Sequence, residues 1–168
     1  AQTWILHAVP GCSYGINVRL DYKGCGLTLF LQGVQGVQVY NGQKFQTDFW
    51  SLTDAGSNKG SRLLNAWTTD NTSSLIPALT TNNTGDEGRA STYFVENGSY
   101  LKLRDLSVGY NLPTDVLQRC KLSKLRFYLS GHNLLTIKSK SLTCKDPENP
   151  NWAYPLATSV TFGVQVGF

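Results

Sequence analysis

The sequence predicts an all-β fold, a run of antiparallel transmembrane β-barrel strands joined by connections of very unequal length. Three observations predict it. Five segments alternate apolar and polar residues with a period of two. Charged residues make up 15% of the 168 positions, against about 25% in a typical soluble domain. The connections between the five segments alternate short and long, as the periplasmic turns and extracellular loops of outer-membrane barrels do.

The clearest segment is the last, within 158–168. Val160, Phe162, Val164, Val166 and Phe168 alternate without a break with Thr161, Gly163, Gln165 and Gly167. A strand places successive side chains on opposite faces, so one face is wholly apolar and the other small or polar. A soluble protein would cover or charge such a strand, whereas a barrel turns its apolar face to lipid. A strand ending in Phe is similar to the C-terminal signal recognised when bacterial outer-membrane proteins are inserted. Phe162, Val164, Val166 and Phe168 are the expected carriers of that signal.

The first segment, 14–22, puts Tyr14, Ile16, Val18, Leu20 and Tyr22 on one face and Gly15, Asn17, Arg19 and Asp21 on the other. Aromatic residues at both ends suit the two membrane interfaces. Lys23-Gly-Cys-Gly26 reads as a tight turn into the second segment, 27–35. There Leu27, Leu29 and Leu31 share a face, and Phe30 breaks the pattern on the other.

Residues 36–98 lack sustained alternation and are rich in Asn, Thr, Gly and Ser. They are read as one long extracellular loop, with a short helix near 59–67. A loop of this length argues against an ordinary compact soluble domain.

The third segment, 100–110, contains a phase slip. Leu101 and Leu103 have one parity, and Leu106, Val108 and Tyr110 the other. A β-bulge at Arg104-Asp105 would return all five to one face. Thr114 or Asp115 is expected to cap a helical turn after it. The fourth segment, 124–134, alternates Leu125, Phe127, Leu129 and Gly131 with Arg126, Tyr128, Ser130 and His132. With Phe168 on the periplasmic side, every connection matches the expected short or long order. Five strands cannot close a barrel, and single-chain bacterial barrels use an even number. The chain is therefore read as the end of a larger one. It contains no Met and opens with no signal-peptide pattern, which also suggests a fragment or a processed piece.

Phe94-Val-Glu-Asn-Gly-Ser-Tyr-Leu-Lys-Leu-Arg-Asp-Leu-Ser-Val-Gly-Tyr-Asn-Leu-Pro113 and Leu125-Arg-Phe-Tyr-Leu-Ser-Gly-His-Asn-Leu-Leu-Thr136 resemble consecutive strands of the SusC/RagA family of TonB-dependent outer-membrane transporters. Tyr14-Gly-Ile-Asn-Val18, Tyr22-Lys-Gly24, Leu31-Gln-Gly-Val-Gln-Gly36, Trp67-Thr-Thr-Asp-Asn71, Asp146-Pro-Glu148 and Thr161–Phe168 resemble further family stretches, in the family's order. Cys25 departs from a bulky apolar residue, His132 from Gln, and Leu156-Ala-Thr-Ser159 from an Arg-containing stretch. The resemblance implies a plugged barrel of about 22 strands, of which this is the C-terminal part. It also implies import of glycans or peptides together with a SusD-like surface lipoprotein. TonB would act through a part of the protein outside these residues.

Nothing in the sequence forms a catalytic constellation, so no enzyme is expected. His7 and His132 have no Cys, Asp or Glu at ligand spacing, and the four cysteines show no zinc pattern. No cofactor or metal is expected. Scattered Lys and Arg residues at a net charge of +4 do not suggest nucleic-acid binding. The candidate ligand or lid-protein contacts are the loop aromatics Tyr40, Phe49, Trp50, Trp67 and Trp152, whose alternative role is packing the loops. Arg19, Asp21, Lys102, Arg104 and Arg126 are expected to line the lumen. The competing reading is a secreted soluble β-sandwich that binds carbohydrate.

Overall fold

The computed structural model describes residues 6–49, 58–80, 88–150 and 154–168. They fall into a sheet unit (Pro10–Gly36, Ser99–Ser139 and Leu156–Phe168) and a loop unit (Ala1–Val9, Val37–Gly98 and Lys140–Pro155).

The sheet unit holds five antiparallel strands: β1 (Cys12–Tyr22), β2 (Cys25–Gln35), β5 (Tyr100–Asn111), β6 (Lys124–Lys138) and β7 (Ser159–Gly167). The spatial order is β1-β2-β5-β6-β7, with every neighbour antiparallel and β1 and β7 at the edges, so the sheet is open. The β1–β2 turn is tighter than expected. It consists of Lys23 and Gly24, both at positive φ, 46° and 85°. Two consecutive positive φ values are the I′ hairpin geometry, whose twist matches that of the flanking strands. Cys25 already belongs to β2.

Register makes one face continuously apolar. Val18 lies opposite Leu29, Leu29 opposite Leu106, Val108 opposite Leu129, and Leu129 opposite Phe162. None of these side chains is buried: Val108 is 47% exposed, Leu129 50% and Phe162 68%, with Val18, Leu29 and Leu106 half-buried. A sandwich would bury such a face beneath a second sheet.

The bulge lies where the phase slips. Phe30 pairs with Asp105 and Leu31 with Leu103, leaving Arg104 as the extra residue of β5. Leu101, Leu103, Leu106, Val108 and Tyr110 thereby share the apolar face. A second irregularity compensates in β6, where Asp105 pairs with His132 and Leu103 with Leu135. Asn133 takes φ 52° there, a conformation Asn tolerates. β6 therefore runs on to Lys138, past the expected end at 134, because Leu135 and Ile137 resume the outward parity.

Helix α2 (Thr114–Arg119) follows β5 with Pro113 at its N-cap, and no side chain caps it. The expected cap at Thr114 or Asp115 is thus corrected. Both lie inside the first turn, where the charge of Asp115 favours the helix dipole. Lys121, at φ 56°, ends the turn. Cys12, Cys25 and Cys120 are exposed free thiols, and the buried Cys144 donates its Sγ–H to the Asp146 carbonyl at 3.4 Å.

In the loop unit, β3 (Gln38–Tyr40) pairs with β4 (Val95–Asn97), flanked by α1 (Gln43–Thr47) and two 3-10 helices, Ser61–Asn65 and Thr92–Phe94. The helix expected over 59–67 is thus shorter and of 3-10 type. Among the described residues no helix is long and apolar enough to cross a membrane, which leaves membrane-crossing strands untouched.

Candidate functional site

The loop unit is built around Phe94, which has no exposed surface. The rings of Tyr40, Phe45, Phe49 and Tyr93 surround it, with centroids 5.4, 6.4, 5.8 and 5.3 Å away. Tilted and edge-on pairs of this kind add to the burial of their apolar surface.

A charged clasp lies beside this cluster. The Lys44 ammonium meets Glu96 at 2.8 Å and donates to the Tyr93 carbonyl at 2.8 Å. Glu96 also accepts from Asn41 Nδ2 at 2.9 Å, from the Thr143 amide at 2.9 Å and from the Thr143 hydroxyl at 2.7 Å. Burial pushes the Glu96 carboxyl up. Its bonds from Lys44, Thr143 and Asn41 outweigh that and leave it below its ordinary value. A second buried carboxylate, Asp48, binds the Tyr93 hydroxyl at 2.6 Å and the Arg62 guanidinium at 2.9 Å. Burial, then the Asp48 carboxylate, hold the Tyr93 phenol well above its ordinary value, against the pull of Arg62. These contacts join the start of the long connection, its end and the segment before β7.

Beside these contacts, residues 62–76 form an open pocket. The Trp67 amide donates to the Ile76 carbonyl at 2.9 Å, and Thr68 and Asn71 bridge to close a turn between them. Ser74 Oγ accepts from the Ile76 amide and donates to the Asn65 carbonyl. The pocket measures about 320 Å³ and is lined by Arg62, Asn65, Asn71, Ser73, Ser74 and Ile76, with Leu75 also on its lining.

The expected contact residues separate accordingly. Tyr40 and Phe49 join the aromatic cluster, Phe49 only 4% exposed. Trp67 remains 41% exposed near the pocket. Trp50 and Trp152 lie outside the described residues. Val164, Val166 and Phe168 are 46%, 45% and 97% exposed. Sequence reasoning missed Tyr93, Phe94, Lys44 and Glu96, because packing inside an irregular loop has no periodicity to reveal it.

The polar face of the sheet is the second candidate surface. Arg104 Nε donates to Gln32 Oε1 at 2.7 Å, and its Nη1 to Asn133 Oδ1 at 3.3 Å. Arg19 pairs with Asp21 at 2.8 Å, and Lys102 is 2% exposed. His132 contacts Asp105, a partner supplied by register that spacing along the chain could not indicate. One register row crosses the sheet through Asp21, Gly26, Gly109, Tyr128 and Gly163. The Tyr128 ring lies over Gly163, 2.2 Å from where a Cβ would sit, and the Arg126 guanidinium lies over Gly109, 2.8 Å from such a Cβ. Arg126 Nε is buried without a hydrogen-bond partner among the described residues. Side chains laid flat in this way keep that level of the face thin. No group of three or more metal-ligating side chains occurs among the described residues.

No family model matches the chain. TonB-dependent receptor P3 of Formosa agariphila is 35% identical over 130 residues, covering 76% of this chain and 12% of that protein. TonB-dependent receptor P26 of the same organism is 27% identical over 175 residues, covering 95% of this chain and 17% of that protein. The chain thus spans a small part of the length of these relatives. Among solved structures, the RagAB peptide importer in its closed-closed state superposes with a TM-score of 0.79 at 27% identity, over 96% of this chain and 18% of that one. Its open-open state gives 0.75, over 96% of this chain and 17% of that one.

Proposed function

We propose that this chain, which belongs to the SusC/RagA family of TonB-dependent receptors, forms the C-terminal stretch of wall, with its long loops, in an outer-membrane transporter. The observation that carries the reading is the apolar face running unbroken through β1, β2, β5, β6 and β7. Lipid is the solvent in which such a face is stable, provided the open edges at β1 and β7 are closed by further strands, because unpaired backbone groups are very costly there.

The short connections, 23–24 and 112–123, lie at one end of the sheet and the long ones, 36–99 and 139–158, at the other. On the usual arrangement of outer-membrane barrels the first end faces the periplasm, together with the end of β7, and the second faces outside. The loop unit is then extracellular. Trp67 is its exposed aromatic contact for substrate or for a SusD-like lipoprotein, and Tyr40 and Phe49 hold its framework. Phe162, Val164, Val166 and Phe168 form the insertion signal. The complete barrel has about 22 strands, takes up oligosaccharide or peptide, and draws energy through TonB.

An antibody against Asn97–Pro113 tests this on outer-membrane extracts. The reading requires a heat-modifiable species several times larger than 18.5 kDa. A soluble species of 18.5 kDa, absent from membranes, contradicts it.

A further inference from the structure

We infer that the pocket over residues 62–76 is a subsite for the C-terminal end of a short apolar peptide; this rests on the transporter reading and names the substrate class at that site. Its volume, about 320 Å³, sits at the small end of ligand pockets, which run from about 300 to 1,000 Å³. The floor is aliphatic, with Ile76 7% exposed. The walls carry the amides of Asn65 and Asn71 and the hydroxyl of Ser73, beside Ser74, whose hydroxyl is already bonded to the Asn65 carbonyl and the Ile76 amide. Each amide side chain both donates and accepts, as pairing with a peptide backbone requires.

Arg62 is the one charged side chain on the described lining. Its Nη1 is held by Asp48 at 2.9 Å, and its side chain is 37% exposed. That pair and a hydrogen bond with Tyr93 fix the guanidinium, whose remaining N–H donors can meet a carboxylate. Leu75, on the lining, is aliphatic and 89% exposed.

An oligosaccharide needs different chemistry. Sugar rings stack their C–H faces on aromatic rings and give their many hydroxyl protons to carboxylates. The described lining holds neither an aromatic ring nor a carboxylate, and the nearby Trp67 is not part of it. Asp48 is already committed to Arg62, Tyr93 and Thr47. A free carboxylate on Arg62, a backbone against Asn65, Asn71 and Ser73, and aliphatic side chains against Ile76 and Leu75 match this lining.

Calorimetry on the full-length receptor in detergent tests this with three probes: Ala-Leu-Leu as free acid, the same peptide with an amidated C-terminus, and maltohexaose. The expected result is binding of the free acid, about tenfold weaker binding of the amide, because a charge-assisted pair is lost, and none of maltohexaose. Arg62→Gln weakens the free acid by a similar factor. Because it also strips Asp48 of a partner, Asn71→Asp provides a second variant, placing a repelling carboxylate in the pocket while leaving the Arg62–Asp48 pair intact. It weakens the free acid more than the amide. Equal affinity for acid and amide, preference for maltohexaose, absence of peptide binding, or indifference to Asn71→Asp overturns the proposal. Heat-modifiability of the same preparation reports on the barrel separately, so a heat-modifiable receptor that ignores the peptide sinks the subsite alone.

Discussion

Lys44 and Glu96 form an ion pair at 2.8 Å across the long connection, their side chains only 10% and 3% exposed. Glu96 is the point where β4 meets Asn41, Lys44 and Thr143, so it ties together segments far apart in the chain. Removing one member of a buried pair strands the other charge, which typically costs about 3–5 kcal/mol. Glu96→Leu is therefore expected to open the loop unit, and the double variant Lys44→Met with Glu96→Leu to recover much of the loss. Hydrogen exchange at Asn41 and Phe94, whose backbones are bonded to each other at 2.8 Å, measures it. Unchanged protection in Glu96→Leu would remove the clasp from the account.

The same carboxyl sets a pH dependence. Its folded value lies below the ordinary 4.5, so the unfolded state takes up its proton first as pH falls. The stabilisation is complete above about pH 4.5 and disappears as pH drops through the lower folded value. Protease nicking of the loop unit in the wild type should rise over that acid range and stay flat between pH 6 and 8. Glu96→Gln should be nicked more at neutral pH and respond less to acid. A steeper acid response in Glu96→Gln than in the wild type would contradict the assignment.

The flat Tyr128 ring gives a third prediction. A Cβ on Gly163 would sit 2.2 Å from the ring, so Gly163→Ala must lift it off the strand. The atoms met are the outer end of a single side chain, so the cost lies at the low end of the about 1–3 kcal/mol typical of overpacking. The fraction of receptor in heat-modifiable form should fall with Gly163→Ala and recover in Gly163→Ala with Tyr128→Ala. Failure of the second change to rescue would mean that the ring is not the obstacle.

Deleting Arg104 tests the bulge. Without it Leu103 is followed by Asp105, and Leu101, Leu103, Leu106, Val108 and Tyr110 alternate without interruption, in register with Gly33, Leu31, Leu29, Leu27 and Cys25. The deletion should therefore keep the apolar face and leave much of the receptor assembled, as should Arg104→Ala, which loses only the bonds to Gln32 and Asn133. Abolished assembly in the deletion, with Arg104→Ala assembled, would contradict the reading of Arg104 as an extra residue outside the alternation.

The strands were legible because apolar and polar residues alternate along them. The slip at Arg104 was legible because apolar parity changes on either side of it. The matching irregularity in β6 was not, because Asn133 and Leu134 look like the end of a pattern until register with Leu103 shows that Leu135 continues it. The loop unit was the least legible. Phe94 becomes its centre through contacts with Tyr40, Phe45 and Phe49, and Thr143 reaches Glu96 from the other long connection. Such pairings follow from packing, which has no local period. The pocket at residues 62–76 comes from a short 3-10 helix and a turn, built of residues that read individually as ordinary polar loop.

The central claim is that the apolar face meets lipid, and spin labelling along β7 tests it most directly. Single cysteines at Val160 through Gln165, in a receptor whose Cys12, Cys25, Cys120 and Cys144 are replaced by Ser, would carry a nitroxide in native outer membranes. The account predicts that collisions with oxygen, which concentrates in lipid, peak at residues 160, 162 and 164. Collisions with a water-soluble nickel chelate should peak at residues 161, 163 and 165. Uniform exposure to the chelate along the strand, or the reverse alternation, would contradict it.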